Sequence, residues 1–184
     1  MKLLYADQHA RSLKDPEGYW GEVANKITWT RKWTKVLDAS RSPFYRWFTG
    51  GELNTCYNAL DRHVETGRGQ QKALIYDSPV TNTIRSWSYS EMRDWVARFA
   101  GVLAGLGVSK GDRVILYMPM VPEAVVAMLA CARGGFTHTV VFGGFSAEAL
   151  KDRINDCEAR AVLTADFGWR KGAPVKLLEQ VKAA

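Results

Sequence analysis

Hydrophobic periodicity changes twice between residues 111 and 145, and the changes predict a strand, a helix and a second strand. Val114–Tyr117 is an uninterrupted apolar run after a Gly-Asp turn, which is typical of a buried strand. Pro122 opens a segment that is apolar on nearly every side as far as Ala132, which predicts a well-covered helix. The β-branched run Thr137–Phe142 predicts another buried strand. Two strands joined by a helix imply a parallel pair.

Upstream of this unit, the pattern predicts a β-hairpin and a long amphipathic helix. The runs Lys72–Tyr76 and Thr83–Trp87 flank a turn that contains proline, as in a hairpin. Ser88 and Glu91 have the spacing of a helix capping box. The apolar residues that follow at helical spacing are Met92, Trp95, Val96, Phe99, Leu103 and Leu106.

Downstream, the chain predicts one more helix and one more strand. Ser146 is placed to cap a helix, and Ala161–Thr164 is a short apolar strand. The predicted fold class is therefore α/β: a parallel βαβαβ unit preceded by a β-hairpin.

The first 60 residues predict an aromatic-rich helical arm. They contain four of the seven tryptophans and few β-branched runs. Asp15 can cap a helix whose first turn holds Pro16. A second helix is predicted over Asn54–Glu65, with Gly67 and Gly69 ending it. We therefore expect an arm at 1–60 and an α/β domain at 61–184.

Charge and composition narrow the classes of function. The 184 residues carry a formal net charge of +6, but no run of Lys or Arg exceeds two. Nucleic-acid binding requires a basic patch or stripe, so scattered charge argues against it and fits an anionic small molecule. Three cysteines without CxxC spacing argue against disulfides or structural zinc. No segment reaches the roughly 18 apolar residues of a membrane span.

A glycine turn after the second strand is the first candidate binding site. Open α/β sheets bind ligands outside the carboxyl ends of their strands, where Phe142, Gly143 and Gly144 lie. Two glycines permit close backbone approach, and a helix that begins near Ser146 offers free N–H groups to an anion. The pattern is neither a dinucleotide fingerprint nor a phosphate loop. Taken alone, it favours a plain strand-to-helix turn.

A basic pair after the third strand is the second candidate. Arg170 and Lys171 stand between Gly168 and Gly172, where they could bind a phosphate. Composition alone favours a solvated loop. His138, early in the second predicted strand, is expected to be a core residue rather than a base. The residues give no Ser/His/Asp or Cys/His arrangement and no suggestive carboxylate pair.

Four long motifs resemble the N-terminal portion of AMP-forming short-chain acyl-CoA synthetases, the acetyl-CoA and propionyl-CoA ligases of the adenylate-forming superfamily. In chain order they are WFTGGELNTCYNALDRHVETGRG, KALIYDSPVT, GDRVILYMPMVPEAVVAMLACARGG and HTVVFGGFSAEAL. The resemblance extends from about Tyr19 to about Gly172. The stretch Ile75–Thr81 is more similar to the propionate-type branch.

The resemblance implies the opening portion of a large N-terminal domain and a two-step reaction. The complete enzyme would activate propionate or acetate with ATP and Mg to acyl-AMP, and coenzyme A would then displace AMP. Residues 1–60 would be the family's N-terminal arm and 61–184 a truncated AMP-binding domain. The ATP loop, acyl pocket and catalytic lysine would lie downstream. No catalytic residue or metal ligand is therefore expected here, and the chain alone is expected to be inactive.

The resemblance also assigns part of a coenzyme A site. The family's Phe-Gly-Gly lines that site and corresponds to Phe142, Gly143 and Gly144. Its basic loop holds the 3′-phosphate end of coenzyme A, and Arg170 falls on the first arginine. Ala173 stands where a second arginine is usual, with Lys171 as a partial substitute.

Two alternatives stay open. The chain would either be a non-catalytic module that binds coenzyme A or a protein partner, or an inert truncated product. The expected location is the cytoplasm, with the mitochondrial matrix as the alternative.

Overall fold

A computed structural model describes residues 4–184. These residues fall into two compact units, the first ending at Asn54 and the second spanning Thr55–Ala184. The second unit contains the parallel sheet and all five candidate site residues.

Two helices and a two-stranded antiparallel ribbon form the first unit. Its elements are α1 (Tyr5–Lys14), α2 (Pro16–Ala24), β1 (Lys35–Asp38) and β2 (Arg46–Thr49). The Asp15 carboxylate accepts a hydrogen bond from the Gly18 N–H at 3.0 Å, and Pro16 takes the first helical position. The predicted start of this helix is therefore confirmed.

Aromatic rings form the centre of the first unit. The ring of Trp29 lies 4.9 Å from that of Trp33 and 5.4 Å from that of Phe48, measured between centroids. The Trp29 indole N–H donates to the Ala24 carbonyl at 2.9 Å. A Cβ atom on Gly51 would stand 2.7 Å from the Trp29 ring, so only glycine fits there. Trp29, Trp33 and Phe48 thus pack on one another within this unit, whereas Phe44 and Tyr45 are exposed.

The second unit begins with a helix that contains two π-helical turns. The turns are Tyr57–Asp61 and Val64–Arg68. The helix predicted over 54–65 is thereby confirmed in place, although its hydrogen bonding is wider than in an α-helix. The backbone leaves helical geometry at Thr66 and at Gly67, whose φ is +84°. Helical geometry is thus interrupted at Gly67 and the last turn is followed by Gly69, the two glycines that the sequence predicts at the end of the helix.

The predicted hairpin and capping box are both present. Their elements are β3 (Lys72–Ser78), β4 (Thr83–Ser88) and α3 (Tyr89–Gly105), with β3 and β4 antiparallel. The Ser88 hydroxyl accepts a hydrogen bond from the Glu91 N–H at 3.2 Å, and the Glu91 carboxylate accepts one from the Ser88 N–H at 2.7 Å. These bonds from Ser88 lower the pKa of Glu91. The stabilisation is therefore present above the usual glutamate pKa and lost as the pH falls through the lowered value.

We expect Ser88→Ala to lower the free energy of unfolding by about 1 kcal/mol, because α3 loses an N-terminal cap. Urea denaturation followed by far-UV circular dichroism measures the change. Ser86→Ala is the matched control, since Ser86 is exposed on β4 and lies outside the capping box. Equal effects of the two substitutions would contradict a capping role for Ser88.

A three-stranded parallel sheet follows, with α-helical crossovers. The remaining elements are β5 (Arg113–Tyr117), α4 (Pro122–Gly134), β6 (Thr137–Val140), α5 (Ala147–Asp156), β7 (Ala161–Thr164), β8 (Gly168–Arg170), β9 (Ala173–Val175) and α6 (Leu177–Ala183). The strand order is β6-β5-β7, and Ile115 lies opposite both Thr139 and Val162. The predicted parallel βαβαβ unit is confirmed.

Alternate residues of β5 enter two different hydrophobic clusters. Val114 and Leu116 pack in a cluster built mainly from α3 and α4. Ile115 and Tyr117 pack in a second cluster with residues of α5 and α6. All four are at most 1% exposed. Because successive side chains of a strand point to opposite faces, helices cover β5 on both sides, as expected of a central parallel strand.

The prediction that β6 is a buried strand is wrong. Thr137, Thr139 and Val140 are exposed, and His138 is half-buried rather than a core residue. Within residues 4–184, β6 pairs with β5 alone, so it is an edge strand with less cover than β5. The strand also ends at Val140, two residues before the predicted end.

None of the helices in the described part of the chain combines the length and apolar character that crossing a membrane requires.

Candidate functional site

The segments that follow the three parallel strands meet at the carboxyl edge of the sheet. Met118 and Pro119 follow β5, residues 141–144 follow β6, and residues 167–170 follow β7. Because α4 packs in one cluster and α5 in the other, the connections leaving β5 and β6 go to opposite faces of the sheet. Their separation leaves a crevice where open α/β sheets bind ligands.

These segments line a cavity of about 640 Å³. Small-molecule sites commonly measure roughly 300–1,000 Å³. The tip of the β3–β4 hairpin, residues 76–81, supplies another wall. Most lining residues are apolar, and the charged residues among them are Asp77 and Arg170. A mostly apolar cavity with one cation and one carboxylate in its wall suits an organic ligand, whose anionic group would pair with Arg170.

A side chain at Gly144 would displace its two neighbours, Arg170 and Phe142. The guanidinium carbon of Arg170 stands 4.9 Å from the centroid of the Phe142 ring, a cation–π contact. A Cβ atom on Gly144 would collide with Arg170 Nη1 and stand 2.6 Å from Phe142 Cε1. The absence of a side chain at Gly144 therefore allows Arg170 to lie over Phe142.

The side chain of Tyr117 contacts the glycine turn at residues 143–145 from the core of the protein. Its side chain is completely buried at the end of β5. Its hydroxyl donates its one proton to the Phe145 carbonyl oxygen at 2.8 Å, and the Gly143 carbonyl oxygen at 3.3 Å is the longer branch of the same three-centre bond. Burial raises the pKa of Tyr117, so the hydroxyl keeps its proton well above neutral pH. The turn is thus bonded directly to the central strand.

The start of α5 does not offer all the free N–H groups that the sequence predicts. The Ser146 hydroxyl accepts from the Ala149 N–H at 3.3 Å, which confirms the predicted cap. The side-chain oxygen of Gln180 accepts from the Ala147 N–H at 2.9 Å. Two donors of the first turn are therefore already bonded to side chains, contrary to the expectation of a free anion-binding helix end.

Residues 168–175 form a β-hairpin in which residues 169–174 are exposed, so the solvent exposure that composition predicts for Arg170 and Lys171 is confirmed, although the segment is not an irregular loop. Strands β8 and β9 pair antiparallel, with Arg170 opposite Ala173. The turn residues Lys171 and Gly172 have φ values of +50° and +77°. Positive φ at both central positions is required by the type I′ turn, whose twist matches that of the paired strands. The loop is therefore ordered by strand pairing.

Most of the sequence-predicted site residues come together. Phe142, Gly143, Gly144 and Arg170 line the same cavity. Lys171 lies at the hairpin turn and outside the cavity lining.

Sequence reasoning missed Tyr117 and Gln180. A tyrosine that ends an aliphatic strand carries a signal, because a buried hydroxyl needs a hydrogen-bond partner. Gln180 gives no comparable signal, because it caps a residue 33 positions away. The hairpin tip at 76–81 was likewise missed, because its position over the sheet edge is a tertiary contact.

Two cysteines of the second unit are shielded from reaction. Cys56 and Cys131 are fully buried, and burial raises the pKa of Cys131 to about 11, which keeps its thiol protonated. Within residues 4–184, no group of three or more His, Cys, Asp or Glu side chains is arranged to hold a metal ion.

Comparison with known proteins identifies the family. The protein-family model described as "Acetyl-coenzyme A synthetase N-terminus" matches residues 5–59. The family model described as "AMP-binding enzyme" matches residues 60–184. The chain is 47% identical over 180 residues to human acyl-CoA synthetase short-chain family member 3, mitochondrial, covering 98% of this chain and 26% of that protein. It is 46% identical over 183 residues to acetyl-coenzyme A synthetase of Syntrophus aciditrophicus, covering 98% of this chain and 28% of that protein.

A solved structure agrees with the sequence comparisons. Acetoacetyl-CoA synthetase from Streptomyces lividans matches with a TM-score of 0.87 and 31% identity, over 98% of this chain and 28% of that one. The chain thus spans about a quarter of the length of these relatives. The resemblance to adenylate-forming enzymes is confirmed, because one family model covers more than half of the chain. The chain belongs to the AMP-binding enzyme family.

Proposed function

We propose that this chain forms the opening part of an acid–CoA ligase and carries part of its coenzyme A site. The observation that supports the site most directly is the stack of Arg170 over Phe142 beside Gly144, inside a largely apolar cavity. Membership of the AMP-binding family and the names of the relatives support the class of reaction.

The proposed reaction has two steps. A carboxylate oxygen of a short-chain acid attacks the α-phosphorus of ATP, and pyrophosphate leaves. The sulfur of coenzyme A then attacks the acyl carbon of the adenylate, and AMP leaves. The proposed acid is propionate or acetate, with Mg as the metal partner of ATP. We place the protein in the cytoplasm, with the mitochondrial matrix as the alternative.

In the proposed domain organisation, residues 1–60 form an N-terminal arm and residues 61–184 form the first part of the AMP-binding domain. Coenzyme A combines an elongated, partly apolar arm with phosphate groups, which fits a mostly apolar cavity whose wall holds a cation. Arg170 would receive the 3′-phosphate, since a guanidinium pairs well with phosphate oxygens. Phe142, Gly143 and Gly144 would contact the ligand beside it. Lys171, at the adjacent turn, would add positive charge.

Isotope exchange tests the reaction class. The complete polypeptide that carries this chain should exchange pyrophosphate into ATP when propionate or acetate is present, without coenzyme A. Addition of coenzyme A should then yield AMP and the acyl-CoA. No acid-dependent exchange with any short-chain acid would refute the proposed function.

We expect Arg170→Ala to raise the KM for coenzyme A by about tenfold or more, because a charge-assisted hydrogen bond contributes roughly 1.5–3 kcal/mol. The acid-dependent exchange should be unchanged. Dephospho-coenzyme A, which lacks the 3′-phosphate, provides the matched ligand: the wild type should prefer coenzyme A, and the variant should lose that preference. The measurement is initial rate against the concentration of each thiol.

Lys171→Asn is the companion variant, since asparagine tolerates positive φ and removes only the charge. Because Lys171 lies outside the cavity lining, its effect on the KM should be smaller than that of Arg170→Ala. A preference for coenzyme A that survives Arg170→Ala would contradict the assignment of the 3′-phosphate to Arg170.

A further inference from the structure

Tyr117 joins the central strand to the candidate site through a buried side-chain hydroxyl. The strand residues around it, Val114–Leu116, are aliphatic and serve packing. Its hydroxyl instead bonds to the carbonyl oxygens of Gly143 and Phe145. A buried hydroxyl contributes little to packing that phenylalanine would not, so its role lies in what it holds.

Holding a carbonyl fixes the direction of the next N–H group. In a trans peptide the C=O of one residue and the N–H of the next point in opposite directions. The single cis peptide bond between residues 4 and 184 is Ser42-Pro43, so the bond from Gly143 to Gly144 is trans. With its oxygen turned toward buried Tyr117, the Gly143 carbonyl directs the Gly144 N–H away from the core.

The Gly144 N–H is available to a ligand. Across the described part of the chain, no acceptor takes a hydrogen bond from it, whereas the neighbouring Phe145 N–H donates to the Phe142 carbonyl at 3.0 Å. Backbone donors near a cavity are normally bonded to protein or to water, or they serve a ligand. Gly143 and Gly144 both line the cavity.

We infer that Tyr117 is a positioning residue for the coenzyme A half-reaction, because it holds the glycine turn so that the Gly144 N–H is presented as a fixed donor to an acceptor atom of the thiol substrate. The identity of the ligand rests on the proposed function. The anchoring of the turn by Tyr117 is independent of the proposed function. Tyr117 itself does not line the cavity and acts through the backbone.

Tyr117→Phe in the complete polypeptide tests both parts, because it removes one oxygen atom and keeps the ring. Hydrogen–deuterium exchange of the peptide that contains 142–146 reports the anchor. The Phe145 amide should exchange severalfold faster than in the wild type. The KM for coenzyme A should rise about fivefold, as expected for a lost neutral hydrogen bond. The acid-dependent ATP–pyrophosphate exchange should keep its wild-type rate.

Tyr89→Phe is the matched control, since it makes the same chemical change on α3, where the Tyr89 ring packs against His63. It should alter neither the turn nor the KM. Wild-type amide exchange at 142–146 in Tyr117→Phe would overturn the anchor, and an unchanged KM for coenzyme A would overturn the positioning role. An equal loss in both half-reactions would show a merely structural residue. Absence of acid-dependent exchange in the wild type would instead refute the proposed function and leave the amide-exchange result to decide the anchor.

Discussion

Gly144→Ala is expected to raise the KM for coenzyme A by between about tenfold and a hundredfold, while acid-dependent ATP–pyrophosphate exchange stays at the wild-type rate. The added methyl group would collide with Arg170 Nη1 and approach Phe142 Cε1 to 2.6 Å. Both neighbours are side chains at an open surface, so they can move aside and the fold survives. Moving them removes the stacked guanidinium from the cavity, a loss of the order of one charged hydrogen bond, or about 1.5–3 kcal/mol.

A double-mutant cycle sharpens this expectation. If Gly144→Ala acts by displacing Arg170, it should add little to the KM of an Arg170→Ala variant, because the two changes remove the same contact. Gly101→Ala is the matched control: it lies inside α3 with no atom within 4 Å of a new Cβ, so it should stabilise the helix by about 0.5–1 kcal/mol and leave the KM alone. Full additivity in the cycle would show that Gly144 acts independently of Arg170.

Leu103→Ala is expected to lower the free energy of unfolding of the second unit by about 2–5 kcal/mol. Leu103 is 1% exposed and packs in the cluster that α3 and α4 share with β5. Truncation there loses apolar burial and leaves a cavity that the surrounding helices only partly fill. Urea denaturation at pH 7 provides the measurement, with the midpoint and the slope fitted separately.

Leu106→Ala provides the control within the same helix pattern. Sequence periodicity places Leu103 and Leu106 on one apolar face, yet Leu106 is 74% exposed just beyond the end of α3. Its truncation should change stability by less than about 0.5 kcal/mol. Comparable losses for the two leucines would mean that Leu106 is covered in solution.

The sequence predicts the fold best where the hydrophobic periodicity of an element agrees with the residues that mark its start or end. The strand predicted over Ala161–Thr164 has the observed bounds, and the capping box at Ser88 sets the observed start of α3. The predicted strand Thr137–Phe142 is two residues too long, because its composition does not show where pairing with β5 ends. The sequence also does not predict that β6 is exposed, because β-branched residues favour both edge strands and central strands of a sheet.

The site is predictable in part, and for a definable reason. Placement after parallel strands brings Phe142, Gly144 and Arg170 to one edge, which follows from topology alone. The hairpin that orders Arg170 was missed because Lys171-Gly172 is a weaker turn signal than Asn-Gly. The side-chain cap from Gln180 depends on tertiary packing across 33 residues, which local pattern does not encode.

The alternation along β5 also separates the effects that substitutions in this strand would have. Even-numbered positions, Val114 and Leu116, face the α3 and α4 cluster and bear only on packing. Odd-numbered positions, Ile115 and Tyr117, face the α5 and α6 cluster, from which Tyr117 reaches the glycine turn. Substitutions at Val114 or Leu116 should therefore disturb only the packing against α3 and α4, whereas a substitution at Tyr117 should also release the glycine turn.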